Sequence, residues 1–204
     1  MLDHVFTDAI GALRETLESA FLERQKDVDE RFQVDVLLGD VTWETSYGLP
    51  GEGFPPRVVA VITFDWPTWS QTAYRLWLQQ EQIDDPPRIE IEIRLRIQRL
   101  AAHPSAEVVL GALPSQSPPI GSSAPLERFG PTVETLYRDP LEDPAYAIEV
   151  SYEGTYELTE EPLADGSILD DHFSAMGGWI ASTLVRLGDL KLEFLPPDEE
   201  EVLP

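Results

Sequence analysis

Residues 88–97 read Arg-Ile-Glu-Ile-Glu-Ile-Arg-Leu-Arg-Ile, with every apolar side chain followed or preceded by a charged one. A period of two puts alternate side chains on opposite sides of an extended chain, whereas a helical face repeats every three or four residues. The segment is therefore a strand with one apolar face and one charged face. Such a strand belongs in an antiparallel sheet that meets water on one side and buries the other. The rest of the chain must supply neighbouring strands and an apolar layer to cover the buried side.

Both are present in the sequence. Residues 32–46 read as one strand carrying Val34, Val36, Leu38, Val41 and Trp43, and 58–64 as a continuously apolar, central one. Residues 69–80 fit a strand or a helix; a hairpin out of 58–65 needs no extra connection, which favours the strand. Residues 145–158 alternate again, and Gly154 in their middle signals a bulge or a close backbone approach. The covering layer comes from two long helices. Over 4–28, Leu2, Val5, Phe6, Ala9, Ile10, Leu13, Leu17, Ala20 and Phe21 recur at helical spacing behind an Asp3 cap. Over 168–187, Leu169, Phe173, Met176, Ile180, Leu184 and Leu187 do the same. Asp165 or Ser167 caps that helix and Gly188 ends it. Gly177 and Gly178 inside it point to close packing against a neighbour.

The expected fold is α+β: an antiparallel sheet of four or five strands with long N- and C-terminal helices packed on one face. Residues 1–204 form a single domain. Residues 100–144 hold 8 of the 18 prolines and read as a partly mobile insertion over the sheet, with a short helix at 105–113. An acidic tail occupies 198–204.

Acidic residues number 38 against 14 basic ones, a formal net charge of −24. Lysine occurs only as Lys26 and Lys191. Nucleic-acid affinity rests on cations that neutralise phosphates, so nucleic acid is not an expected partner, nor is an anionic membrane surface. No apolar run is long enough for a bilayer-spanning helix, and residues 1–4 lack a signal-peptide pattern. A cytoplasmic protein without membrane insertion is the expectation. The acidic surface favours solubility and attraction of a basic protein partner.

Catalytic patterns are missing. Cysteine is absent, which removes thiolate chemistry and sulfur-ligated zinc. His4, His103 and His172 have no metal-ligand spacing, and Asp170-Asp171-His172 opens a helix, where acids suit the dipole. No cofactor or metal is expected, and the chain is read as a non-enzyme. Trp66, Trp69 and Trp77 fall within twelve positions. They form either core or an exposed aromatic groove for an apolar ligand.

The C-terminal third resembles the SecB family of export chaperones. Ile148-Glu149-Val150 leads into Gly154-Thr155-Tyr156-Glu157-Leu158, then a loop, then the long helix at 168–187. Leu190-Lys191-Leu192-Glu193-Phe194-Leu195-Pro196 follows, similar to the family's apolar segment after that helix. The strand ending Arg94-Leu95-Arg96-Ile97-Gln98 is similar to a strand of SecB-like proteins linked to toxin–antitoxin systems. The likeness covers residues 145–197 and 88–99. It departs from the family in the insertion at 100–144, the N-terminal helix and the acidic tail in place of a second C-terminal helix.

The resemblance implies an ATP-independent chaperone or adaptor, a homo-oligomer that holds unfolded or apolar polypeptide segments in a groove. Trp66, Trp69, Trp77, Leu192 and Phe194 would line the client site. Glu90, Glu92, Glu149 and Glu157 would form an acidic face for a partner. Two other readings stand beside it. One is a carrier of a small apolar ligand, with room made by Gly177 and Gly178. The other is a structural or interaction module that oligomerises through its helices, above all the face at 4–28.

Overall fold

A computed structural model describes residues 4–20, 22–24, 31–35, 39–51, 53–137, 143–159, 161 and 165–197. Leu2, Asp3, Phe21, Val36, Leu38 and the tail at 198–204 lie outside that set. In chain order the elements are α1 (His4–Ser19), β1 (Glu23–Arg24), β2 (Arg31–Val34), β3 (Val41–Gly48), β4 (Val58–Trp66) and α2 (Thr68–Leu78). Then come β5 (Arg88–Leu100), α3 (Ala106–Ala112), β6 (Glu127–Leu136), β7 (Ala145–Glu157) and α4 (Gly166–Gly188). The α+β expectation holds at the level of class, but the sheet is wider than four or five strands. It runs β1-β3-β4-β5-β7-β6, with β2 also on β3, and every pairing is antiparallel.

The alternation in β5 sets the two faces. Ile89, Ile91, Ile93, Leu95 and Ile97 are at most 2% exposed. They lie in register with Phe64, Ile62, Ala60 and Val58 of β4, and with Tyr156, Gly154, Tyr152, Val150 and Ile148 of β7. Helices α1 and α4 cover this face. Val5, Phe6, Ala9, Ile10, Leu13 and Leu17 of α1 are all buried within the chain itself. Phe64 is the hub: its ring meets Trp43 at 5.2 Å, Phe173 at 5.4 Å and Phe6 at 6.5 Å. Aromatic pairs at such separations add to simple area burial.

Glycines mark where backbones crowd. A Cβ on Gly177 would stand 3.0 Å from Thr16 and 3.4 Å from Leu13, so this residue lets α1 lie close against α4. A Cβ on Gly154 would stand 2.8 Å from Leu126, which is the close approach expected of a mid-strand glycine. Gly188 was expected just past the helix; it is the last helical residue, and Asp189 is the C-cap. Its missing side chain accommodates Leu49, 2.5 Å from where a Cβ would be. At the other end Asp165 caps α4, accepting from the Ser167 backbone N–H at 3.0 Å.

Four expectations change. The helix read over 4–28 ends at Ser19, and Glu23–Arg24 is already a strand. The single strand over 32–46 is a hairpin: β2 folds back on β3 with Val34 opposite Val41. Gly39, at φ 77°, occupies the turn. The segment 69–80 is not a strand: it holds helix α2, which ends at Leu78. Its buried face is Ser70, Gln71 and Tyr74, two of them polar, which hid the helical pattern from a hydrophobic count. Ser70 Oγ donates to the Arg88 carbonyl (2.6 Å) and accepts from the Arg88 N–H (2.7 Å), while Gln71 Nε2 donates to Gly39 and Trp66 carbonyls.

The described part of the segment 100–144 lies not over the sheet but within the fold, residues 138–142 being outside the described set. It supplies α3 and the strand β6. Leu113, Ile120 and Leu126 from it are buried in the core. Leu192 and Phe194 pack at the end of β5, where Phe194 bridges Leu100. There Arg99 bulges the strand at φ 61°, and its guanidinium donates to the Pro55 and Leu195 carbonyls, both at 2.8 Å. Among the described residues no helix is long and apolar enough to cross a membrane.

Candidate functional site

Among the described residues no helix lies over the second face of the sheet, and its side chains fall into rows across the strands. One row is Glu44 (β3), Thr63 (β4), Glu92 (β5), Glu153 (β7) and Glu127 (β6), each opposite the next in register. Three glutamates are thus direct cross-strand neighbours. Such neighbours stand about 5 Å apart, and like charges in that relation destabilise a sheet. The next row is Thr42, Asp65, Glu90 and Thr155. Asp65 accepts a hydrogen bond from Thr42 Oγ1. Between the two rows lies a depression of about 350 Å³ lined by Asp65, Glu90, Ile91, Glu92, Glu153, Gly154 and Thr155.

Burial pushes the Glu92 carboxyl above the usual range. Arg94 opposes that shift, and Glu153, Glu149 and Asp65 reinforce it.

Further along the strands the face is ion-paired. Arg94 reaches across β4 to Glu44, 3.1 Å away, and its Nε is 3.8 Å from Glu92. Arg96 bridges Glu134 at 2.7 Å and Glu149 at 3.6 Å. The hydrogen bond and charge of Arg96 hold the Glu134 carboxyl below its ordinary range. The open face therefore has an acid-lined end and a charge-balanced end.

All four acids expected to form a partner face lie on this open side. Glu90 and Glu92 line the depression, Glu149 is paired with Arg96, and Glu157 is in register with Arg88. Asp65, Glu127 and Glu153 were missed. Only the register brings them into these rows: Asp65 opposite Glu90, Glu153 opposite Glu92, and Glu127 opposite Glu153.

The five residues expected to line a client groove do not come together. Trp66 is 1% exposed, because it ends the covered face of β4 against Phe6 and Tyr74. Its indole N–H donates to Ser70 Oγ at 3.2 Å. Trp77 is half-buried and stacks on Tyr74. Trp69 is 40% exposed, with the Arg88 guanidinium 4.7 Å over its ring. Leu192 and Phe194 are half-buried at the far end of the sheet, Phe194 under Arg57 at 4.8 Å. Trp69 sits beside the first residue of β5 and Phe194 beside the last. At about 3.3 Å per residue the strand between them spans about 40 Å.

The histidines are equally dispersed. His103 packs edge-on against Tyr146, and His172 Nδ1 is 2.9 Å from the Tyr156 hydroxyl. Burial pushes the Tyr156 phenol up to about 12. Asp170 turns toward α1 and helps line a second depression of about 520 Å³ between α1 and α4. Among the described residues no group of three or more His, Asp or Glu is placed to hold a metal ion. Set against known proteins, the chain matches no family model, no curated protein and no solved structure.

Proposed function

We propose that this chain is an ATP-independent adaptor or chaperone that docks basic polypeptide segments on the open, acid-lined face of its sheet. The observation that carries the reading is the in-register row Glu92–Glu153–Glu127. Local rules are broken most often where function requires it. A row of like charges across adjacent strands weakens the sheet and, with a cation bound, ceases to do so. The net charge of −24 draws cationic partners toward that face over distances set by ionic strength. This keeps the polypeptide-holding expectation of the SecB-like resemblance and moves its site from the tryptophans to the carboxylates.

Two observations weigh against the other readings. Gly177 seats Thr16 and Leu13 rather than leaving space for a ligand. The apolar face of α1 is buried against its own chain, so it does not call for a second subunit.

The test is binding of an unfolded basic protein, measured by titration calorimetry, with the double variant Glu92→Gln, Glu153→Gln as comparison. Binding weakened at least about tenfold by the variant and by high salt supports the reading. Binding that is absent, or indifferent to both changes, rejects it.

A further inference from the structure

We infer that β2 is a self-complementary edge through which two copies of this chain pair, strand against strand about a two-fold axis, into one continuous sheet. The inference stands apart from the reading of the acid-lined face. Among the described residues β2 pairs with β3 alone. All four of its residues are exposed, Phe32 by 47% and Val34 by 57%. Phe32 lies opposite Trp43 and Val34 opposite Val41, so both point to the covered side of the sheet. They nevertheless remain outside the layer that buries Trp43 and Val41.

The backbone fixes how a second strand can add. Asp35 donates its N–H to the Asp40 carbonyl at 2.9 Å, in line with the β2–β3 register. Antiparallel ladders alternate bonded and non-bonded pairs. Arg31, Gln33 and Asp35 therefore turn their backbone groups toward β3, and Phe32 and Val34 turn theirs outward. An added strand bonds through those two residues. One two-fold register uses both of them in both copies: Phe32 faces the second copy's Val34, Val34 faces its Phe32, and Gln33 faces its own equivalent. A slip of two residues either way pairs one outward residue of each copy with a position outside β2. The side chains agree with the same register. Phe32 meets Val34 on the covered side, and on the open side Arg31 stands opposite the second copy's Asp35. An edge that complements itself at one register in backbone, apolar contact and charge selects a second copy of this chain. The net charge of −24 on each copy opposes association and sets its salt dependence. Screening strengthens this pairing, whereas it weakens capture of a basic segment. The axis is perpendicular to the sheet, so the open faces of both copies lie on one side of it.

The chain has no cysteine, so single introduced cysteines report the register. Gln33→Cys places a thiol on the axis, where the Cα atoms of a non-bonded pair stand about 4.5 Å apart, within disulfide reach. In Arg31→Cys the equivalent atoms are about 14 Å apart along the strands, too far to bridge. The expected result is a covalent dimer that forms at least about tenfold faster from Gln33→Cys than from Arg31→Cys under mild oxidation. Sedimentation equilibrium of the native chain should show a reversible dimer with a Kd of about 10–100 μM, tightened by salt. The double variant Phe32→Lys, Val34→Lys, at exposed positions, should weaken it at least about tenfold. A monomer at every concentration up to about 1 mM, with the two cysteine variants oxidising at equal rates, overturns the pairing. A dimer that the lysine variant leaves unchanged places the contact elsewhere and overturns it too. Titration of an unfolded basic protein into the Glu92→Gln, Glu153→Gln variant reads the acid-lined face alone, so either reading can fail without the other.

Discussion

The two faces of this sheet obey different rules. On the covered face, side chains from β3, β4, β5 and β7 meet α1 and α4 with almost nothing exposed. On the open face, neighbouring strands set Glu92 against Glu153 and Glu153 against Glu127. Burial is non-directional and additive, so the covered face stabilises the fold whatever its partners do. The open face contributes little by itself, because exposed ion pairs are worth less than about 1 kcal/mol each. Its arrangement makes sense as a surface for something else. The contrast teaches that stability and binding can be separated across the thickness of one sheet.

The comparison breaks most visibly at its apolar hub. Phe64→Ala removes a ring shared by Phe6, Trp43 and Phe173, and a loss of about 3–5 kcal/mol is expected in urea unfolding. A loss below about 1 kcal/mol would mean that the helices are not held by this layer. Next comes the helix contact. Gly177→Leu drives a side chain into Thr16 and Leu13, and about 1–3 kcal/mol should be lost. Its neighbour gives the opposite sign. A Cβ at Gly178 meets nothing within 4 Å, so Gly178→Ala should gain about 0.5–1 kcal/mol from helix propensity alone. Destabilisation by both would show that the helix tolerates no side chain there.

The smallest effects sharpen the contrast within the open face, and pH separates its ends. Glu134 is held low by Arg96, so its contribution is present above the ordinary glutamate range and lost as pH falls through its lower folded value. Glu92 is raised, so the folded chain binds that proton more tightly than the unfolded one. Its contribution is full below the ordinary range and lost as pH rises through the raised value. Glu134→Gln should therefore cost less than about 1 kcal/mol near pH 7, and progressively less as pH falls through the lowered folded value. Glu92→Gln should be neutral at low pH and stabilise by a few tenths of a kcal/mol near pH 7. Denaturation midpoints across that range decide it; parallel trends in the two variants would dissolve the distinction between the ends.

Much of this was legible in the residues. The alternation over 88–97 predicted a one-sided strand, and the spacing of Val5, Phe6, Ala9, Ile10 and Leu13 predicted the face that α1 buries. Both are local periodicities, repeated often enough to outvote noise. Helix α2 was only half legible: residues 69–80 fitted a helix or a strand, and its buried side is Ser70, Gln71 and Tyr74, held by hydrogen bonds rather than by an apolar stripe that would have decided for the helix. Strand β6 was not legible: Gly130 and Pro131 interrupt it, and its one buried-side apolar residue packed on the core is Val133.

The sequence by itself determined the acidic charge, the two-faced strand and the helices able to cover it, since each depends only on residues near in the chain. Tertiary structure alone decided that Trp66 is core while Trp69 is exposed, and that Phe194 lies far from both. It alone decided, too, that glutamates from β5, β7 and β6 form one row. Register between strands is settled by the packing of the covered face, and that packing carries the open face's side chains along with it.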